Sequence, residues 1–219
     1  LEDLWPFIWL PQLQTLKVSS STIKDYFPLT YLPNTEFDVV DQLIETAVPI
    51  EFADAQSEEA VRMIINKPTG DIYPSEVCHV TEFSLNNARI SDITFLKNFV
   101  SLTSLSLADN QLSDLTPLRQ LSALEELDLS SNRIGDISPL SRMTNLAWIN
   151  LNDNQVQDLS PMNGMTGLME AYLSNNRIED LTPLANATEL IFLDLNDNRL
   201  SDVSPLLSLV NLEEVVLTN

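Results

Sequence analysis

Apolar and polar positions repeat along most of this chain with a period of 22 residues. The unit LEELDLSSNRIGDISPLSRMTN, residues 124–145, shows the pattern once in full. In it, Leu127 and Leu129 alternate with polar residues, which is typical of a short β-strand with one buried face. A single unit cannot bury its own leucines, so the period predicts stacked units that share one core, with their strands side by side in a parallel sheet.

A polar residue closes each predicted strand and keeps the same step. These residues are asparagines at Asn110, Asn132, Asn154, Asn176 and Asn198. An amide side chain both donates and accepts hydrogen bonds, so it can satisfy backbone groups that a turn leaves without partners. The column therefore predicts an internal ladder of asparagine side chains.

The second half of each unit contains an aspartate, a Ser or Thr, and a proline. The pairs are Thr116-Pro117, Ser138-Pro139, Ser160-Pro161, Thr182-Pro183 and Ser204-Pro205. We expect the hydroxyl to cap a short 3₁₀ turn and the proline to take its first position. One carboxylate per turn is a poor calcium cage. Each aspartate is therefore expected to accept backbone N–H groups of its own turn, and no metal or other cofactor is expected.

Residues 49–79 have a different pattern, which predicts a helical cap. Four apolar residues have the spacing of one helix face: Ala60, Val61, Ile64 and Ile65. Ser57, followed by two glutamates, suits a helix start, whereas Pro68 and Gly70 suit its end. A second small helix is expected after the Lys-Pro-Thr-Gly turn. Such a cap would cover the first open edge of the repeat core.

The motif from Val80 onward resembles the 22-residue class of leucine-rich repeats, and within it the internalin-like repeats of bacterial surface proteins. The resemblance implies an α/β fold: a right-handed solenoid with a concave parallel sheet, short 3₁₀ turns on the convex side and a helical N-terminal cap. The first repeat departs from the motif, because Ala88 replaces the ladder asparagine and Phe95 replaces the proline. Such exceptions are expected in a unit that follows a cap.

Four segments are predicted along the chain. Residues 1–34 are repeat-like and are expected to be the tail of a preceding block. Residues 35–48 are expected to be a linker, helical because Phe37, Val40, Ile44 and Val48 form an apolar stripe. Residues 49–79 are the cap, and residues 80–219 are an array that is expected to be cut before its C-terminal end.

Composition excludes several classes of function. The formal net charge of −21 disfavours nucleic acid and anionic membranes as partners. No apolar run has membrane-spanning length. Cys78 is expected to be a buried structural thiol, and His79, the only histidine, an ordinary surface or cap residue. No nucleophile, base and orienting group occur together, so the chain is not expected to be an enzyme.

The candidate binding surface is the concave face, formed by strand residues between the leucines. Most of them are small or acidic, but Trp148, Tyr172 and Phe192 are large and are expected to cluster. Exposed aromatics ringed by polar groups are typical of interface hot spots, although they can also be partly shielded side chains without a ligand. The predicted partner-binding residues are Trp148, Tyr172, Phe192, Glu126, Asp128, Asn150, Glu170 and Asp194.

Three functions remain open. The first, whose localisation rests on the resemblance, is an extracellular or cell-surface bacterial module that binds a protein, such as a host or cell-surface receptor. The second is an intracellular regulatory scaffold that binds an enzyme such as a phosphatase, since related repeats occur in a eukaryotic phosphatase regulator. The third is a glycan-binding surface in which the aromatic cluster stacks on sugar rings.

Overall fold

The computed structural model of the protein describes residues 15–18, 36–39 and 48–218. In the first two ranges, β1 (Thr15–Val18) and β2 (Glu36–Val39) form a two-stranded parallel sheet, with Leu16 opposite Phe37. The remainder of the predicted preceding block, within residues 1–34, lies outside the described residues. Its assignment to an earlier array stays a prediction.

The prediction of a helix over residues 35–48 is wrong for residues 36–39, which are strand β2. The sequence Glu-Phe-Asp-Val has the period of two that suits a strand. Partners in β1 and β2 are 21 residues apart, as in the pair Thr15 and Glu36. Because this step differs from 22, the repeat frame did not reveal the strand. Residues 40–47 lie outside the described residues.

The cap segment contains two helices, as predicted, but the first begins before Ser57. It is α1 (Ala55–Ile64), and the second is α2 (Pro74–Val77). Asp54 precedes α1 in an extended conformation, and its carboxylate accepts hydrogen bonds from the amide of Ser57 at 2.7 Å and from its hydroxyl at 2.9 Å. Aspartate is a favoured N-cap residue because it satisfies amides of the first helical turn.

The predicted apolar stripe of α1 is buried only on one side. Val61 is fully buried and Ala60 nearly so, whereas Ile64 is 44% exposed. Chain direction changes after the helix, where Asn66 has a φ of 52° and Gly70 a φ of 84°. Both residue types adopt this left-handed region at low cost.

Seven strands of the array form one parallel sheet in chain order. They are β3 (Glu82–Ser84), β4 (Ser104–Ser106), β5 (Glu126–Asp128), β6 (Trp148–Asn150), β7 (Glu170–Tyr172), β8 (Phe192–Asp194) and β9 (Glu214–Val216). Neighbouring strands pair at a step of 22 residues, for example Leu105 with Leu127. In β3 to β8 the central residue is buried and its two neighbours point outward. The register predicted from the repeat is thus confirmed.

Short 3₁₀ helices connect the strands on the other side of the core, as predicted. They are Thr94–Asn98, Thr116–Leu118, Ser138–Arg142, Ser160–Gly164, Thr182–Asn186 and Ser204–Ser208. Their small size leaves each unit short enough to repeat every 22 residues.

The prediction that the Ser or Thr hydroxyl caps these turns is wrong. The cap is the aspartate two residues earlier: the Asp136 carboxylate accepts the Ser138 amide at 2.8 Å, and the Ser138 hydroxyl donates to the same carboxylate at 3.1 Å. The amide bond recurs in every turn, from Asp92, Asp114, Asp158, Asp180 and Asp202, at 2.7–2.8 Å. The expectation that each aspartate serves its own turn is confirmed.

The predicted asparagine ladder is present. The Asn154 amide nitrogen donates to the carbonyls of Leu129, Leu151 and Asn152 at 3.0–3.1 Å, and its oxygen accepts the amide of Ile134 at 2.9 Å. Each such side chain links one repeat to the one before it. Because Asn154 is only 8% exposed, these bonds satisfy groups that water does not reach.

The residue before each ladder position has a left-handed backbone. These residues are Asn87, Asp109, Ser131, Asp153, Asn175 and Asp197, with φ between 50° and 57°. Asn and Asp tolerate this conformation better than other non-glycine residues. The column explains how the chain leaves the sheet in the same direction in every repeat.

Phenylalanines fill the first repeat, where the motif is broken. Phe95, in place of the proline, lies 5.8 Å from Phe83 and 6.0 Å from Phe99 between ring centroids, in edge-on arrangements. Phe52 approaches Phe95 at 5.5 Å. Since all three rings of the first repeat are buried, the departure from the motif is a change in core packing.

Candidate functional site

The sheet register places the three predicted aromatics on neighbouring strands. Trp148 pairs with Glu170, and Glu170 with Phe192, so these three form one column across β6, β7 and β8. Tyr172 lies in the next column, between Asn150 and Asp194. Strands two apart are separated by about 10 Å, which leaves room for one ring between Trp148 and Phe192.

Tyr172 fills that space and joins the rings into a cluster. Its ring centroid is 5.5 Å from that of Trp148 and 4.9 Å from that of Phe192, with interplanar angles of 47° and 34°. Such tilted contacts are favourable for aromatic pairs. All three side chains are half-buried. We refer to Trp148, Tyr172 and Phe192 as the aromatic cluster.

The Tyr172 hydroxyl is held by an acidic neighbour. It donates a hydrogen bond of 3.0 Å to the Glu170 carboxylate. Loss of solvent around the ring raises the pKa of Tyr172, and the bond to Glu170 and the negative charges of Glu170 and Asp194 raise it further. The phenol therefore stays protonated near neutral pH and remains a donor.

The other predicted residues lie around the cluster, and each has an oxygen engaged in a local bond. Glu126 accepts the Ser104 hydroxyl at 3.1 Å. The remaining three each accept a backbone amide two residues later, at 3.0–3.1 Å: Asp128, Asn150 and Asp194. These bonds fix the side chains at the ends of their strands. The structure thus brings the eight predicted residues together on strands β5 to β8.

Sequence reasoning missed the residues that immediately precede the strands. Met169 is 44% exposed, and Ala147 and Ile191 are half-buried. Backbone bonds of 2.8 Å connect Met169 to Ala147 and Ile191 to Met169, so these residues are neighbours. They break the simple alternation of strand positions, which is why the period of two did not select them. Apolar residues at usually polar positions of the motif were the available signal.

Two depressions adjoin these residues. One, of about 380 Å³, is lined by Glu126, Ala147, Trp148, Met169 and Glu170. The other, of about 460 Å³, is lined by Met169, Glu189, Ile191, Val210, Asn211, Leu212 and Glu213. Met169 lines both. Each depression thus combines an apolar lining with two glutamates, which suits a binding surface.

The outward face of the sheet carries negative charge and no Lys or Arg at any strand or strand-preceding position from residue 81 to residue 218. The acidic residues there are Glu82, Glu125, Glu126, Asp128, Glu170, Asp194, Glu213 and Glu214. The arginines of the array lie elsewhere, four of them after the turn that leaves the sheet: Arg89, Arg133, Arg177 and Arg199. The sheet therefore attracts cations.

The chemistry of the cap residues is limited. His79 is exposed, as expected, but Cys78 is half-buried and not the buried thiol that was predicted. Within the described ranges, no three His, Cys, Asp or Glu side chains are grouped so that they could hold a metal ion. No helix among those described has the length and apolar character to span a membrane.

Known proteins match both the repeats and the fold. The family model described as "Leucine Rich repeats (2 copies)" matches residues 78–120, 100–142 and 122–164. Internalin InlC2 of Listeria monocytogenes is 30% identical, with a TM-score of 0.55, over 81% of this chain and 100% of that one. The chain belongs to the internalin-like leucine-rich-repeat proteins. Its array is accordingly a protein-interaction module, and modules of this family are typically non-enzymatic.

Further matches define how far the likeness extends. Internalin InlF of Listeria monocytogenes is 28% identical, with a TM-score of 0.68, over 80% of this chain. The chain spans 60% of the length of that structure. A plant peptide hormone receptor, solved in complex with its peptide RGF2, has a TM-score of 0.58 at 19% identity over 67% of this chain and 25% of the receptor, which shows the fold alone. No curated protein sequence matches the chain.

Proposed function

We propose that this chain is the binding module of a bacterial cell-surface or secreted protein, and that it holds a protein ligand on the concave sheet face. The internalin-like character of the repeats supports the localisation. The aromatic cluster supports the face, because its three contacting rings stand among residues that are otherwise small or acidic.

The cluster has the composition of an interface hot spot. Trp and Tyr dominate binding energy in many interfaces because they bury a large area with little loss of side-chain freedom. The acidic residues around the rings form a polar rim. Tyr172 is also rigid, since its hydroxyl is bonded to Glu170 at 3.0 Å. A preformed site of this kind loses little entropy when a partner binds.

An array of receptor ectodomains, run beside a glycan array, tests the proposal. We expect the wild-type protein to bind an ectodomain. A variant carrying W148A, Y172A and F192A is expected to bind it at least tenfold more weakly, since truncation of a hot-spot residue costs about 2 kcal/mol or more. The control variant S84A/S106A lies on the same face, in β3 and β4, and is expected to bind as wild type.

Other outcomes identify the competing functions. Unchanged ectodomain binding by the aromatic variant would show that the face is wrong. Binding to glycans alone would favour the sugar-binding alternative. Protease treatment of intact producing cells tests the localisation: protection of the protein until the cells are lysed would favour an intracellular scaffold.

A further inference from the structure

Two adjacent columns of the sheet become apolar in the same repeats. The column that precedes the strands reads Thr81, Thr103, Glu125, Ala147, Met169, Ile191 and Glu213. It is polar in the first three repeats, apolar in the next three and polar again in the last. Those three middle repeats are the ones that carry the aromatic cluster, on β6, β7 and β8. The two columns therefore form one continuous apolar area.

This area extends beyond the sheet. Val210, which precedes β9 in the chain, lines the second depression together with Met169 and Ile191. It is 84% exposed, and in the preceding repeats its position is occupied by Thr144, Thr166 and Thr188. We define the apolar flank as Ala147, Met169, Ile191 and Val210. It continues the aromatic cluster toward the side from which the chain enters the sheet.

Acidic residues border the apolar flank. Glu126 and Glu170 line the first depression, and Glu189 and Glu213 line the second. Neither depression has a Lys or Arg among its lining residues. A partner placed here must shield these carboxylates from one another, because like charges without counterions oppose close contact.

We propose that the apolar flank is a docking surface for a basic, apolar segment of the protein partner, whose Lys or Arg side chains lie in the two depressions. The inference rests on the proposed function, since it extends the same binding surface. Lys and Arg fit because their aliphatic stems can pack on Met169 while their charged ends reach the glutamates. In the first depression, Trp148 adds a ring face to which a cation is attracted.

Selection from a display library of random peptides tests the composition of the partner segment. Peptides selected on the wild-type protein are expected to be enriched in Lys or Arg alternating with apolar residues. Their binding is expected to weaken as salt rises, because charge pairs at a surface are screened. Enrichment of neutral or acidic peptides, or recovery of no binding peptide, would overturn the inference.

Variants locate the binding of those peptides. M169S/V210S is expected to lower the affinity at least tenfold, and E170Q/E189Q about fivefold at low salt and less at high salt. Two controls are expected to bind as wild type. L207S changes a leucine that is 85% exposed in the last 3₁₀ helix, and E59Q/E82Q removes the same number of charges away from the depressions.

The same peptides separate this inference from the proposed function. If W148A/Y172A/F192A loses binding while M169S/V210S and E170Q/E189Q retain it, the concave face is right and the flank is wrong. If M169S/V210S loses binding while the aromatic variant retains it, the flank stands and the aromatic face is wrong. Circular dichroism of each variant shows whether a loss reflects unfolding, and Met169 and Val210 are exposed enough for serine to be tolerated there.

Discussion

The Tyr172 hydroxyl donates a hydrogen bond of 3.0 Å to the carboxylate of Glu170, two residues earlier on the same strand. Both side chains leave β7 on its outward side, so the bond ties a ring of the aromatic cluster to the acidic rim. It also fixes the phenol in the protonated form that can donate. The ionisation of Tyr172 is therefore a direct reporter of the geometry of the site.

Tyr172 is expected to titrate above its ordinary pKa, because its ring is shielded from solvent and its hydroxyl is bonded to Glu170. The difference in ultraviolet absorbance between wild type and Y172F, followed with pH, isolates its phenolate. We expect E170Q to bring the pKa back toward the ordinary value, and E126Q to leave it unchanged. Equal titration curves for wild type and E170Q would contradict the bond.

This shift also affects stability at alkaline pH. A group whose pKa is higher in the folded state contributes stability below its unfolded pKa and loses it as the pH rises through the folded pKa. Wild type should therefore lose more stability than Y172F above the unfolded pKa of tyrosine, about 10. Urea unfolding of both proteins at neutral and alkaline pH measures the difference.

Replacement of a ladder asparagine should destabilise the array strongly. N154A removes the acceptor of the Ile134 amide and the donor to three carbonyls. Since each buried group left without a partner costs about 1–3 kcal/mol, we expect a loss of about 3 kcal/mol in the free energy of unfolding. N154D should cost no less, because a carboxylate cannot donate to those carbonyls. Denaturant unfolding measures both.

An exposed asparagine supplies the control for the ladder. Asn145 donates a single bond of 3.1 Å to the Ser122 carbonyl at the surface, where water can replace it. N145A is expected to change stability by less than about 0.5 kcal/mol. Similar losses for N145A and N154A would show that the ladder is not a special contributor.

The aspartates that cap the 3₁₀ turns should make the fold sensitive to acid. Hydrogen bonds from the Thr116 hydroxyl and amide lower the pKa of Asp114, those from Thr182 lower the pKa of Asp180, and those from the Ser204 amide and hydroxyl lower the pKa of Asp202. A group with a lowered folded pKa stabilises above its unfolded pKa, here 3.8. The contribution is lost as the pH falls through the folded value.

The variant D114N/D180N/D202N tests this dependence. Asparagine still accepts the turn amides but does not titrate, so the variant should lose less stability than wild type between neutral pH and pH of about 3. The matched variant E82Q/E125Q/E213Q removes three carboxylates from the sheet side and should keep the acid sensitivity of wild type. Parallel stability curves for wild type and the aspartate variant would refute the assignment.

Ser131 should be a site of improvement. It has a φ of 54°, at a position where the other repeats of the array carry Asn or Asp. Because those residues are several-fold enriched in the left-handed region, S131N is expected to raise stability by about 0.5–1 kcal/mol. S131V should lower it, since a β-branched side chain is strained there. Thermal unfolding of both variants, with S130N as the adjacent control, measures the effect.

The sequence predicted most of the array because the repeat converts a three-dimensional relation into a fixed step. Once Leu105 and Leu127 are known to be equivalent, the parallel register follows, and with it the column that contains Trp148 and Phe192. The ladder role of Asn154 follows in the same way, because a recurring buried amide must find partners in the neighbouring unit. Eight candidate residues could thus be placed on one face.

The errors have local causes. In the 3₁₀ turns, Asp136 and Ser138 are both good capping residues, and only the backbone conformation decides that the aspartate accepts the amide. In β2, partners 21 residues apart concealed a strand whose apolar residues also fit a helical spacing. Met169 and Ile191 were missed because they lie at the entrance to the strand, where a period of two does not hold.

By itself the sequence determined the repeat unit, the strand register, the asparagine ladder and the absence of basic residues from the sheet face, because all of these depend on residue type at a fixed step. Tertiary structure alone decided that Tyr172 bonds Glu170, that its ring contacts both Trp148 and Phe192, and that Met169 joins two depressions. These features depend on side-chain rotamers and on contacts between repeats, which periodicity does not encode.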